Sequence, residues 1–325
     1  MKNELKKELS WPIVGHEKLV QFLEQTVLRG TVAHAYGFYG PDGAGKTWLA
    51  KLFVQALLCE KQDGKPCGAC RSCAAITKGS HADVFEIRRK EDEKNIGIDD
   101  IRALQSRIAM SPSRGNYHVA IVSDAHLLSV EAQNSMLKTL EEPPKTAMII
   151  LVTDQWKDLL PTLRSRLLGL RLPLLRASVL IGELKSRHPQ LTDPKIRFIS
   201  HAVSGRFGEA SVLAGDSALL ARTEEEYRAV FDFTVHPIGK KLSQLADLFG
   251  KKSSFVEQQG IAREFCQKLL LVFSEGLRGG LQMKKNAYQM ERLLNVLGLL
   301  KQNVHPRLLL EQFCWDVSVQ PPHQT

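Results

Sequence analysis

Gly40-Pro41-Asp42-Gly43-Ala44-Gly45-Lys46-Thr47 satisfies G-x-x-x-x-G-K-[ST] at every specified position. A chain of this length shows that pattern by chance on the order of one time in a hundred. Its context is the one the chemistry needs. "HAYGFYG" (34–40) is a short apolar run ending in glycine, and "KTWLAKLFVQALLCE" follows with Leu49, Phe53 and Leu57 on one helical face. A glycine-rich loop between strand and helix turns backbone N–H groups toward phosphate oxygens, and the helix N-terminus adds positive potential. Gly40, Gly43 and Gly45 build the loop, Lys46 reaches the β/γ-phosphates, and Thr47 offers a hydroxyl to Mg²⁺. The competing reading, a glycine turn with a surface lysine, does not explain the strand–loop–helix order.

Strand-like and helix-like segments alternate through about residue 170. "DVFEI" (83–87), "HVAIVS" (118–123) and "AMIILVT" (147–153) read as buried strands, while 98–110 and 128–142 read as helices, the second halted by Pro143 and Pro144. This order predicts a parallel sheet covered on both faces. Beyond residue 173 the strand signals vanish, and the helix that opens at Pro306 has proline where a first turn tolerates it. The expected organisation is an α/β nucleotide-binding domain over 1–172, a small helical lid over 173–218 and an all-α domain over 219–325. The start of the chain carries no signal-peptide run, and apolar stretches such as "AMIILV" fall far short of the roughly 20 residues a membrane helix needs. A cytoplasmic chain is expected. The net charge of +9 favours a polyanionic partner. Arg102, Arg107 and Arg114 on the 98–114 segment are candidates to face nucleic-acid phosphates, although arginines on a helix face are more often simply solvated.

Asp124 closes the "HVAIVS" strand, where a carboxylate can hold Mg²⁺ directly or through water. Ala125 follows it, in the place expected for a carboxylate that orients attacking water, help worth roughly 10²–10⁴ in rate. His126 reads as a polar residue at a strand-to-helix turn before it reads as a substitute base.

Of the six cysteines, Cys59, Cys67, Cys70 and Cys73 fall within "CEKQDGKPCGACRSC". The spacing C-x₇-C-x₂-C-x₂-C lets one tetrahedral ion collect four thiolates, which suits structural Zn²⁺ and leaves no position open for substrate. An iron–sulfur cluster is the rival, but its bacterial pattern sets the fourth cysteine three residues after the third and follows it with proline. Cys266 and Cys314 lie in apolar helical surroundings.

Taken together, these residues resemble the clamp-loader branch of the AAA+ ATPases, the family of bacterial DNA polymerase III gamma/tau and delta prime subunits. "WPIVGHEKLVQFLEQTVLRGTVAHAYGFYGPDGAGKT" looks like that family's opening, and "SHADVFEI", "QNSMLKTLEEPP" and "TLRSRL" continue the match in order, with the cysteine insertion directly after the phosphate-loop helix. The resemblance is strong over about residues 10–215 and weaker through the helical remainder, which is similar to the family's oligomerisation collar. It implies ATP–Mg²⁺ and structural zinc as cofactors. It places Val14, Gly15 and His16 near adenine, makes Thr153 the sensor of the γ-phosphate, and makes Arg166 in "RSR" an arginine finger offered to a neighbour's nucleotide. It further implies a hetero-pentameric ring with gamma/tau and delta subunits, a sliding clamp, and primer–template DNA. Three departures look like the delta prime type, a stator: Ala125, Gly208 where the motor's lid arginine would stand (Arg206 comes two positions early), and a chain that ends soon after the collar. The alternatives are the hydrolysing gamma/tau motor and, from another class, a P-loop kinase with a zinc lid.

Overall fold

Charge-free runs of β-branched and aromatic residues dictate the centre of this molecule. The computed structural model describes residues 11–90, 93–113, 116–250, 254–278, 283–300, 302 and 304–319. Helix α1 (Glu17–Leu28) leads into strand β1 (Ala35–Tyr39), the phosphate loop, and α2 (Lys46–Leu58). Next come α3 (Arg71–Thr77), β2 (Val84–Ile87), α4 (Ile98–Ile108), β3 (His118–Val122), α5 (Val130–Glu141), β4 (Ala147–Thr153), α6 (Pro161–Arg164) and β5 (Leu168–Arg171). Helices α7 (Ala177–Arg187), α8 (Asp193–Ala202), α9 (Phe207–Gly215), α10 (Ser217–Val235), α11 (Ile238–Phe249), α12 (Phe255–Arg278), α13 (Met283–Leu299) and α14 (Pro306–Val319) complete the chain.

The five strands form one parallel sheet in the order β2-β3-β4-β1-β5. Every residue of β3 and β4 is buried, as parallel strands covered on both faces require. One face carries a core of Trp11, Leu23, Tyr36, Phe53, Val119 and Ile150 with α1 and α2; the other packs Ile101, Leu104, Val122, Met136 and Leu151 under α4 and α5. Phe53 is fully buried, edge-on to Tyr36 at 5.0 Å and stacked on Trp11 at 6.5 Å, so truncating it to alanine costs about 3–5 kcal/mol. Ser129 caps α5 by accepting the Ala132 N–H at 3.1 Å, and Pro143 follows its end, as the sequence predicts. Strand β5 is the element the apolar pattern did not announce: only Leu170 of its four residues is buried.

The chain divides into two compact units, Met1–Thr192 with Val203–Ser211, and Asp193–Ala202 with Val212–Thr325. The helices of 173–218 are thus shared out, α7 grouping with the sheet and α8 with the second unit. That second unit is all helical. Its core gathers Phe233, Leu245, Leu269, Leu293, Leu310 and Phe313, and the buried Cys266 and Cys314 belong to it as ordinary core residues. Their thiols are both pushed up to about 12 by burial. No helix among the described residues is long and apolar enough to cross a membrane.

Candidate functional site

The phosphate loop lies at the carboxyl end of the sheet, where parallel α/β folds open a crevice. Its backbone is one that glycine alone takes easily. Gly40 has φ 148°, and a Cβ there would sit 2.0 Å from the Leu172 carbonyl oxygen; Gly43 has φ 73°. Gly45 then caps α2, whose first two residues are Lys46 and Thr47. Lys46 is buried and donates from Nζ to the Pro41 carbonyl at 2.8 Å. Burial holds its ammonium below the ordinary lysine range, against the opposing pull of Asp42, Asp154 and Asp124. That pull locates three carboxylates around the lysine, Asp154 just past the end of β4, which neighbours β1, and Asp124 past the end of β3, one strand further on.

Thr153 ends β4 opposite Tyr39 of β1, and its carbonyl accepts the N–H of Gly40 at 3.3 Å. The candidate sensor is therefore hydrogen-bonded to the first residue of the phosphate loop. On the α1 side, Val14 is buried, and Gly15 lies so close to Leu175 that a Cβ would stand 2.5 Å from its Cδ2. The His16 ring hydrogen-bonds the Ala44 carbonyl, while burial lowers its pKa below the ordinary value.

Two readings change at this point. Ala125 is fully buried and packs in the core cluster with Val122, Leu128 and Ala132. A glutamate at 125 would enter that core instead of orienting water, so the absent carboxylate is not missing from position 125. Ser123 continues the sheet by donating its N–H to the Ile87 carbonyl at 2.9 Å, its buried hydroxyl has no hydrogen-bond partner among the described residues, and Asp124 is the exposed residue, at φ 51°. The end of β3 thus offers one acid, flanked by a hydroxyl and a methyl.

The second change concerns Arg206. Gly208 brings no side chain, yet Arg206 reaches the loop: its Nε donates to the Asp42 carbonyl at 3.2 Å, and a Cβ on Gly43 would strike its Cδ at 2.4 Å. Glu209 stands 3.7 Å away, its carboxyl raised above the ordinary range by burial. Arg206 is the site residue the sequence spacing hid. The positive φ of Ser204 and Gly205 turns the chain back so that it arrives early.

Arg166 lies apart from this cluster, past the end of α6. It is half-buried, pairing with Glu141 Oε1 at 2.6 Å and donating to the Thr162 carbonyl at 2.9 Å. Of the arginine stripe, Arg102 meets Asp99 at 3.4 Å and Arg107 lies over the Phe85 ring at 5.3 Å, while Arg114 falls outside the described residues.

The four cysteines converge as their spacing implies: their sulfurs all lie within 4.8 Å of one another. Tetrahedral Zn–S bonds of about 2.3 Å set sulfurs about 3.8 Å apart. The Cys67–Cys73 separation is 3.9 Å, close to that spacing, so the donor set fits zinc. The Cys70 N–H donates to Cys67 Sγ at 3.3 Å and the Cys73 N–H to Cys70 Sγ at 3.4 Å, bonds that stabilise thiolate. With the Cys70 and Ala69 N–H groups on it, the Cys67 thiol is pulled down to about 6. Burial drives Cys59 and Cys73 upward, so a bound cation is what would deprotonate them. Gln55 of α2 holds α3 in place through the Cys73 carbonyl at 3.0 Å and Thr77 Oγ1 at 2.7 Å.

Residues 15–176 match the family described as DNA polymerase III, delta subunit. The tau subunit of DNA polymerase III from Bacillus subtilis is 34% identical over 203 residues, covering 61% of this chain and 36% of that protein. The delta prime subunit from Pseudomonas aeruginosa is 36% identical over 147 residues, 45% of each chain. The chain therefore spans between about a third and a half of the length of these two relatives. A gamma subunit-related protein from Thermotoga maritima shares the fold, with a TM-score of 0.50 at 17% identity over 92% of this chain and 98% of that one. Spread over relatives named tau and delta prime alike, and accompanied by a parallel sheet with an intact phosphate loop, the likeness is to the subunits of the DNA polymerase III clamp-loader family.

Proposed function

We propose that the chain is a delta prime-type subunit, a stator that binds ATP–Mg²⁺ with little or no hydrolysis and lends Arg166 to a neighbouring motor subunit. One observation carries the reading: the end of β3 reads Ser123-Asp124-Ala125, a single carboxylate where a hydrolytic site needs one acid for the metal and another for water. In this reading Gly40, Gly43, Gly45, Lys46 and Thr47 hold the triphosphate, Thr47 and Asp124 face Mg²⁺, Thr153 touches the terminal phosphate, and Val14 and Gly15 border the base. Bound Mg²⁺ would offset phosphate charge. The chain's own residues orient the nucleotide and keep it from water. Cys59, Cys67, Cys70 and Cys73 hold a structural zinc. Residues 173–218 act as lid and 219–325 as the collar that joins gamma/tau and delta subunits into the ring, which opens a sliding clamp on primer–template DNA.

The half-buried Arg166 pairs with the exposed Glu141 and not with its own phosphate loop, which supports donation in trans. The rival reading, a gamma/tau motor, gains from Arg206, which sets a guanidinium on the phosphate loop after all. ATP turnover decides between them. The purified chain should bind ATP with negligible hydrolysis, and Arg166→Ala should lower the DNA-stimulated ATPase of the reconstituted loader by about 10³. Brisk hydrolysis by the chain alone would make it the motor.

A further inference from the structure

Beside the sensor lies a hydrogen-bond arrangement that the family resemblance does not account for. His126 is 13% exposed, and its Nδ1 stands 3.2 Å from both Thr153 Oγ1 and Asp154 Oδ1. An aspartate oxygen at this distance is the acceptor, so the arrangement places the ring hydrogen on Nδ1, shared between the two oxygens. Thr153 Oγ1 also accepts the backbone N–H of Gln155 at 3.0 Å. Both lone pairs of the hydroxyl are then engaged. What remains is its own hydrogen, on a side chain whose backbone carbonyl is bonded to Gly40 of the phosphate loop.

We infer that His126 is a positioning residue that makes Thr153 an obligate donor toward the terminal phosphate of a bound triphosphate. The inference rests on Thr153 being the γ-phosphate sensor and names what polarises it. Two effects combine. The imidazole N–H fills an acceptor site of the hydroxyl, and it occupies the Asp154 carboxylate, which would otherwise take the threonine hydrogen for itself. A diphosphate ends short of this donor, so the arrangement favours ATP over ADP.

The test is the ratio of ADP to ATP dissociation constants, measured with Mg²⁺ on the full chain by equilibrium dialysis. Thr153→Val should cut the ratio about tenfold, the loss expected for one hydrogen bond to a charged acceptor. His126→Phe should cut it equally, and the double variant should be no worse than either. His126→Asn, whose amide N–H replaces Nδ1–H, should stay within about threefold of the parent. A histidine that only shapes the fold would weaken both nucleotides together and leave the ratio unmoved; that result in His126→Phe, beside a loss in Thr153→Val, overturns the inference. An unchanged ratio in Thr153→Val removes the sensor as well. Should the parent chain bind neither nucleotide, the nucleotide reading itself fails, and imidazole ¹⁵N NMR of the free protein still decides: an Nδ1–H tautomer at His126 supports the arrangement and Nε2–H refutes it.

Discussion

Ala125→Glu, the substitution that sequence logic suggests for turning this subunit into a hydrolase, is predicted to damage the fold and restore nothing. Ala125 is fully buried among Val122, Leu128 and Ala132. A glutamate there adds four heavy atoms beyond the methyl, an overpacking cost of about 1–3 kcal/mol. Its carboxylate must also leave water. It escapes the full charging penalty by staying protonated, which at pH 7, against an unfolded value of about 4.3, costs about 3–4 kcal/mol. Even the lower sum, about 4 kcal/mol, takes most of the stability of a marginal domain. The sign of the pH dependence is fixed: the folded pKa is raised, so the deficit shrinks as pH falls toward the unfolded value of about 4.3 and grows as pH rises above it. Urea unfolding of the purified variant across pH 4.5–8 measures it, with ATPase assayed in parallel. A well-folded Ala125→Glu chain with near-parental stability and new ATPase activity would show that position 125 faces the nucleotide and would sink the one-acid account of β3.

Two further predictions concern the metal cluster and the sheet's edge. Purified chain should carry about one zinc per polypeptide, and Cys67→Ser should lower that content and expose α3 to protease while the far helical unit keeps its hydrogen-exchange protection; a zinc-free chain with the same protection pattern would show that the thiols need no ion. Glu86 pairs with Lys51 at 3.2 Å and with Arg88, and although burial opposes it, these cations hold its carboxyl below the usual range. The folded pKa is depressed, so the stabilisation is present above the unfolded value of about 4.3 and is lost as pH falls through it. The stability gap between the parent chain and Glu86→Gln should be present at pH 7 and close below pH 4; a gap independent of pH would assign it to packing.

The phosphate loop, four of the five strands and the cysteine cluster were legible because each is a local pattern whose chemistry depends on spacing along the chain. Strand β5 was not, since a four-residue edge segment with one buried side chain leaves no period to read. The end of β3 misled for a related reason. The apolar run shows where the strand stops but not which of the residues after it faces the crevice, and here Asp124 turns out at φ 51° while Ala125 packs inward. Arg206 was hidden by backbone conformation, which no composition rule reports: Ser204 at φ 49° and Gly205 at φ 91° bring it onto the Asp42 carbonyl.

Helix α2 begins at the phosphate loop and hands over to Cys59 at its far end. It is a beam about 20 Å long, with the phosphate loop at one end and the cysteine cluster at the other. A second tie runs alongside it. The Trp11 indole, stacked on Phe53 in the middle of that beam, donates to the Gly64 carbonyl of the cysteine loop at 3.2 Å, and Trp48 near the beam's start donates to the Pro12 carbonyl at 3.1 Å. Trp11 and Pro12 are therefore tied at once to the start of the helix, to its middle and to the cysteine loop. A shift of that loop would be passed to the segment leading into α1, so the two ends of α2 share a single mechanical frame.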